Sequence, residues 1–321
     1  MTKSELSFSS KVKEELCRHI SESQHCLIAE LAAILSMCGR IRIDCENQYS
    51  IKIRTENISI ARKCFTILEK TFNICKDILI SESRSSGSEF YSLNIKRHED
   101  AIRILRATNL IDEMGEIRED ISEETNVVAR RNCCKRAFLR GTFLIGGSMS
   151  NPEKSYHLEI VCTAYERAEQ IKSMIDSFGL EAKIIARKKT YVVYLKEGSQ
   201  IVDFLGIVEA PVALMEFENI RILKEMRNSV NRKVNCETAN INKTVSAAVK
   251  QVEDIKYIRD HIGLHNLSEG LEEIAEMRLL YPEATLKELG ETLSEPVGKS
   301  GVNHRLRKLS EIAEKLRKQE E

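Results

Sequence analysis

Leu31-Ala-Ala-Ile-Leu-Ser-Met-Cys-Gly39 has an echo further along the chain, Leu139-Arg-Gly-Thr-Phe-Leu-Ile-Gly-Gly147. Both stretches are apolar, of helical length, and end in glycine. Each is followed by a strand-like run, Arg40 to Cys45 in the first copy and Ser148 to Ser150 then Tyr156 to Val161 in the second. Tyr49-Ser-Ile-Lys-Ile-Arg-Thr and Tyr156-His-Leu-Glu-Ile-Val-Cys alternate apolar and polar residues with period two, as half-buried strands do. An amphipathic helix is then expected over Ile58 to Phe72 and again over Glu166 to Phe178. Two further strands follow each, at Ile74 to Ser81 and Phe90 to Ile95, and at Ala182 to Ala186 and Tyr191 to Leu195. Short helices at His98 to Thr108 and Gly198 to Leu205 close the units. Both units read α-β-β-α-β-β-α, and the copies sit about 108 residues apart. Ala32, Ala33 and Gly141 on the leading helices lack bulk, so those helices can approach closely at a pseudo-two-fold axis.

A 321-residue chain exceeds the usual size of one core, so two domains are expected. The boundaries predicted are 1–228 for the duplicated scaffold (repeats about 27–108 and 135–206), 229–240 for a linker, and 241–321 for a helical domain. The 49 basic residues balance the 49 acidic ones, so any nucleic-acid site must come from local clustering. None of the ten cysteines forms a C-x-x-C pair, and no Cys/His group has zinc spacing along the chain. The expectation is therefore reduced, packing thiols in a cytoplasmic protein, with no metal site and no cofactor. The longest apolar run, Leu27 to Cys38, contains Glu30 and is too short to span a bilayer.

The two glycine-ended stretches resemble degenerate copies of the LAGLIDADG motif of homing endonucleases. In that family an acidic residue just before each glycine holds divalent metal over the scissile phosphates. The matching positions here are Cys38 and Gly146, neither of which is a hard oxygen ligand. The resemblance implies an α+β scaffold without catalytic residues and not an enzyme. On its sheet face Arg40 and Arg42 alternate with isoleucines, as do Lys52 and Arg54. They are secondary candidates for phosphate contact. A protein partner on that face is the other reading.

The C-terminal third reads as helical. A helix is expected from Glu209 to Asn228, followed by the asparagine-rich stretch Asn231-Arg-Lys-Val-Asn-Cys-Glu-Thr-Ala-Asn240 as hinge. Ile241, Val245, Ala248, Val252 and Ile255 then form an apolar stripe expected to pack on its own domain. Ser268 is the predicted N-cap of a helix ending at Tyr281-Pro282. Thr285-Leu-Lys-Glu288 has the capping-box pattern and opens a second helix running to Leu293. Ser294 to Gly298 is the predicted turn, and a third helix runs from about Ser300 to Leu309. This is the order of a helix-turn-helix, spanning about 285–309 within an all-α domain. Val302, Leu306 and Leu309 share one face, which leaves Ser300, His304, Arg307 and Lys308 opposite and Asn303 and Arg305 beside them. With Lys299 these are the candidate DNA-binding residues. Helix N-terminal amides and Ser300 suit phosphate, Arg307 suits guanine and Asn303 suits adenine in a major groove.

Taken together, the LAGLIDADG-like scaffold and the C-terminal helix-turn-helix resemble the WhiA family of bacterial regulators. The resemblance is carried by Phe8-Ser-Ser-Lys-Val-Lys-Glu-Glu-Leu16, by Phe138 to Glu159, by Asn231 to Asn240 and by Lys299-Ser-Gly-Val-Asn-His-Arg-Leu-Arg-Lys-Leu309. It implies a nucleoid-associated, double-stranded-DNA-binding transcription factor of Gram-positive bacteria, acting in sporulation septation or in cell division and chromosome segregation. It also implies contact with the housekeeping sigma factor of RNA polymerase. An adaptor that recruits a transcription or division partner, with DNA contact secondary, is the alternative.

Overall fold

In the computed structural model of the chain, residues 6–74, 78–85, 88–112, 114–117 and 127–320 are described. The chain divides into two compact units, Met1–Glu225 and Met226–Glu321.

The first unit begins with α1 (Phe8–Arg18), whose Phe8, Val12 and Leu16 are buried. The duplication follows. The first copy is α2 (Gln24–Cys38), β1 (Gly39–Ile43), β2 (Tyr49–Thr55), α3 (Ile58–Phe72), β3 (Ile78–Ser85), β4 (Ser88–Ile95) and α4 (His98–Ala107). The second is α5 (Asn132–Gly146), β5 (Gly147–Met149), β6 (Leu158–Cys162), α6 (Tyr165–Asp176), β7 (Lys183–Arg187), β8 (Thr190–Leu195) and α7 (Gly198–Ile207). Each copy makes one antiparallel four-stranded sheet, ordered β1-β2-β4-β3 and β5-β6-β8-β7. The shared order is the α-β-β-α-β-β-α repeat expected from the sequence. The predicted strand Ile74 to Ser81 instead runs over 78–85, and its residues 75–77, Cys75 among them, lie outside the described residues.

Local chemistry explains why the elements begin and stop where they do. The Asn57 side chain accepts the Ser59 amide at 2.8 Å and opens α3. Asn73 closes the same helix in the left-handed conformation, which asparagine tolerates.

The leading helices α2 and α5 pack at close range, as their small residues predict. A Cβ placed on Gly141 would lie 2.6 Å from the Glu30 carbonyl oxygen and 2.8 Å from the Ala33 Cβ. Only glycine fits that crossing. Buried beside it, Glu30 lies 2.5 Å from Lys63 Nζ and 3.1 Å from Arg140 Nε. Lys63 also donates to the Leu16 and His19 carbonyls, both at 2.7 Å, and Arg140 donates to Ser21 Oγ at 2.8 Å and to Glu209. The charges are thus paired and their hydrogen bonds largely filled, as burial requires.

Helix α8 spans Pro211–His261. Proline at its first position costs nothing, because that amide has no helical partner. Its opening amides, Val212 and Ala213, donate to the two carboxylate oxygens of Glu15 on α1 at 2.7 and 2.9 Å. The expected hinge is helical. Residues 212–262 contain neither glycine nor proline, and asparagine in a helix costs only about 0.7 kcal/mol. The stripe expected to be buried is also corrected, since Ile241 is 62% and Val245 54% exposed and only Ile255 is fully buried. The helices that follow α8 leave this part of the stripe uncovered. They reach back along α8 to Lys250, which pairs with Glu314 at 3.4 Å.

These helices are α9 (Glu269–Leu280), α10 (Leu286–Glu291) and α11 (Lys299–Glu320). With Ile255 and Ile258 of α8 they enclose a core of Leu264, Ile274, Ala275, Leu289, Leu293, Val302, Leu306, Leu309 and Ala313. Arg317 on α11 ties back to the buried Asp254 at 2.8 Å.

The nine described cysteines form no disulfide. Spacing along the chain gave no metal-type cluster, yet the fold brings His25, Cys26, Cys133 and Cys134 together. Each contributes from the first turn of α2 or α5, so the relevant proximity is across the pseudo-two-fold axis.

Candidate nucleic-acid interface

Ser268 precedes α9, and Tyr281 ends it, as expected. The Thr285 hydroxyl accepts the Glu288 amide at 3.3 Å while the Glu288 carboxylate accepts the Thr285 amide at 2.7 Å. This is the reciprocal capping box read from the sequence. It draws the Glu288 carboxyl below the usual carboxylate range.

The turn between α10 and α11 is held from two sides. The Val297 amide donates to the Gly290 carbonyl at 3.0 Å. The Ser294 amide donates to Glu273 Oε1 on α9 at 2.5 Å, which depresses the Glu273 pKa. A Cβ on Gly290 would lie 2.0 Å from the Val297 carbonyl oxygen, so the backbone crossing demands glycine. Arg278 is buried in α9 and donates to the Ala284 carbonyl at 2.7 Å, which fastens the connection to α10. Gly290, Glu273 and Arg278 position the site and were not singled out in the sequence. The legible signals were a glycine inside a very short helix and an arginine on an otherwise apolar face.

Helix α11 begins at Lys299. Val302, Leu306 and Leu309 point into the core, as their spacing requires. Lys299, Ser300, Asn303, His304, Arg307 and Lys308 are exposed. Arg305 is only half exposed, and its guanidinium carbon would lie 3.4 Å from a Cβ on Gly270, against the first turn of α9. It is the member of the predicted set that the fold turns toward a neighbouring helix. Arg307 reaches Glu311 at 3.8 Å, an exposed pair that contributes little and can be exchanged for a phosphate. This face carries donors and positive charge at a helix N-terminus, the chemistry that suits phosphate and base edges.

In the first unit, Arg40 on β1 stands opposite Lys52 on β2, and Lys52 stands opposite Asn94 on β4. Arg42 and Arg54 lie two residues away on the same face. The Arg54 guanidinium stacks on Phe90 at 3.8 Å from the ring centroid. The equivalent face of the second sheet differs. Glu159 there engages His157 at 3.3 Å and Arg187 at 3.9 Å, and Ile185 is 54% exposed.

At the C-terminal ends of the leading helices, the Cys38 thiol donates to the Ile34 carbonyl at 3.3 Å, and burial pushes its pKa up to about 12. A Cβ on Gly146 would lie 2.6 Å from the Val161 carbonyl oxygen and 2.7 Å from Met37 Cε. The motif acids are replaced, and at Gly146 the fold has no room for one.

Comparison with known proteins agrees with this architecture. Residues 24–111 match the WhiA N-terminal LAGLIDADG-like domain, residues 135–227 the WhiA LAGLIDADG-like domain, and residues 230–313 the WhiA C-terminal HTH domain. A probable cell division protein WhiA of Lachnoclostridium phytofermentans is 53% identical over 312 residues, covering 97% of this chain and 100% of that protein. A protein of the same description from Clostridium perfringens is 50% identical over 314 residues, covering 97% and 99%. The crystal structure of full-length DUF199/WhiA from Thermatoga maritima is 26% identical with a TM-score of 0.57, covering 97% of this chain and 98% of that one. With matches in both scaffold repeats and the helix-turn-helix, and about half its residues shared along nearly the whole length, this chain belongs to the WhiA family.

Proposed function

We propose that this chain is a sequence-specific, non-enzymatic DNA-binding protein that reads duplex DNA with α11 and serves cell division as a transcription regulator. The observation that carries the reading is the exposed face of α11: Lys299, Ser300, Asn303, His304, Arg307 and Lys308 are presented together, with no acidic residue between 299 and 308. The relatives' description as probable cell division proteins supports the cellular role. Roles in chromosome segregation or sporulation, nucleoid association and contact with the housekeeping sigma factor rest on the family resemblance. Among the described residues no helix is long and apolar enough to cross a membrane.

Genome-wide selection of bound fragments with the full-length protein, followed by affinity measurement across salt, tests the reading. Arg307→Ala with Lys308→Ala is expected to lower the log-log salt slope by up to about 1.8 and to weaken binding. Lys318→Ala, at the far end of α11, should leave both unchanged. An unaltered slope in the double variant removes α11 as the reader. Cys38 and Gly146 support the absence of nuclease chemistry; magnesium-dependent cleavage of duplex DNA by the purified protein overturns that part.

A specific observation favours the adaptor reading as the second. Val230, Val234, Ile241, Val245 and Val249 of α8 are all more than half exposed. Loss of cell-division function in Val234→Lys with Val245→Lys, with DNA affinity retained, distinguishes it.

A further inference from the structure

The pseudo-two-fold axis that places Cys38 and Gly146 at one end of the helix pair places a different set of side chains at the other. His25 and Cys26 occupy the first turn of α2, and Cys133 and Cys134 the first turn of α5. The repeat offset that aligns Gly39 with Gly147 also aligns His25 with Cys133 and Cys26 with Cys134. Each repeat therefore contributes one adjacent pair, and the axis makes the two pairs into a set of four.

The geometry is that of a closed ligand set. One ligand atom from each residue lies within 4.8 Å of all the others. His25 Nδ1 is 3.2 Å from Cys134 Sγ and 3.3 Å from Cys26 Sγ. Tetrahedral zinc with three sulfurs and one nitrogen has ligand–ligand edges of about 3.4–3.8 Å, so no side chain needs to draw in by more than roughly 1 Å. Cys26 and Cys134 are buried, whereas His25 and Cys133 are exposed, which gives the ion a route in.

We propose that His25 Nδ1 and the thiolates of Cys26, Cys133 and Cys134 bind one zinc ion, clamping the N-terminal ends of α2 and α5. Three thiolates and a neutral imidazole suit zinc and exclude magnesium and calcium, which take hard oxygen donors. Ligation releases the thiol protons, up to three per ion, and leaves the centre with one net negative charge. The surroundings complement that charge. Two helix N-termini converge on the site, and Arg130 and Arg131 line the shallow pocket beside His25 and Cys134. Cys26 to Cys38 spans about 18 Å of helix, so the site is remote from the replaced motif acids. Its role is structural, fixing the pair of helices on which both sheets are mounted.

Full-length protein is purified under reducing conditions, stripped with chelator, and equilibrated with excess zinc or cobalt before gel filtration. The expected result is one metal per chain by mass spectrometry. Cobalt should give a thiolate-to-metal charge-transfer band and the intense visible bands of tetrahedral coordination. Cys133→Ala removes an exposed ligand without opening the core, and should weaken zinc binding by roughly 100-fold or more, since even outer partners of metal ligands are worth 10–100-fold. Cys45→Ser with Cys236→Ser, two exposed cysteines elsewhere, should retain stoichiometric metal. In the wild type, zinc should protect Cys133 from alkylation. The proposal is overturned if the reduced protein retains no metal, or if stoichiometric metal survives Cys133→Ala and Cys26→Ser together. It is equally overturned if Cys26 and Cys134 prove to be a disulfide in protein that takes up no zinc after reduction.

Discussion

The Glu30 carboxylate lies 2.5 Å from the Lys63 ammonium, with both side chains fully buried, one on each of two successive helices of the first repeat. Arg140 of the second repeat joins them at 3.1 Å, so one carboxylate holds the two halves of the scaffold together electrostatically. Removing it strands two cations in the core, with the half-exposed Glu209 as the remaining acid beside Arg140. Glu30→Gln is expected to destabilise the first unit by about 3–5 kcal/mol, and Lys63→Met in the same background to restore part of the loss. Denaturant midpoints of the three proteins measure this. A change below about 1 kcal/mol, the range of a surface pair, contradicts the account.

The same cluster predicts a pH dependence through His19. Burial first, and then the Arg140 charge, hold its imidazole below the ordinary 6.5. The unfolded chain therefore binds a proton that the folded chain resists. In the window between the depressed value and 6.5, stability rises with pH; above it the contribution is constant, and below the depressed value the loss is complete. His19→Gln should flatten stability across that window. An unchanged slope in urea midpoints measured over a pH series counts against it.

Gly290 makes a prediction about the reader. With a Cβ only 2.0 Å from the Val297 carbonyl oxygen, Gly290→Ala must displace the turn itself, because the obstructing atom is backbone. The expected cost is about 1–3 kcal/mol of stability in the C-terminal unit. DNA affinity should fall by roughly tenfold or more, equivalent to about 1.4 kcal/mol of misplaced contacts. Gly298→Ala, where no atom lies within 4 Å of the added carbon, is the control and should be mild in both assays.

Arg40 and Lys52 face each other across β1 and β2, so if the first sheet contributes to DNA binding they act together. Arg40→Ala with Lys52→Ala should reduce the salt slope by up to about 1.8 while leaving base preference intact. The corresponding second-sheet variant, Glu159→Gln, should produce no loss. Equal slopes in the first variant and the wild type remove Arg40 and Lys52 from the DNA contact.

The sequence alone determined the order of elements in both repeats, the capping box at Thr285, and the inward face of α11, because helix and strand periodicities and cap chemistry act over a few residues. It also located the replaced motif acids and the close approach at Gly141, since the repeat aligns positions one against another. Its errors had the same local origin. Asn231 to Asn240 looked like a break because asparagine favours turns, yet nothing there forbids a helix; and the stripe from Ile241 to Val252 could not reveal that α9 to α11 fall short of covering it. What only the tertiary structure decided was proximity across the axis. Glu30 meets Arg140, and His25 and Cys26 meet Cys133 and Cys134, because two helices distant in the chain cross at a glycine, and no spacing along one strand of sequence records that distance.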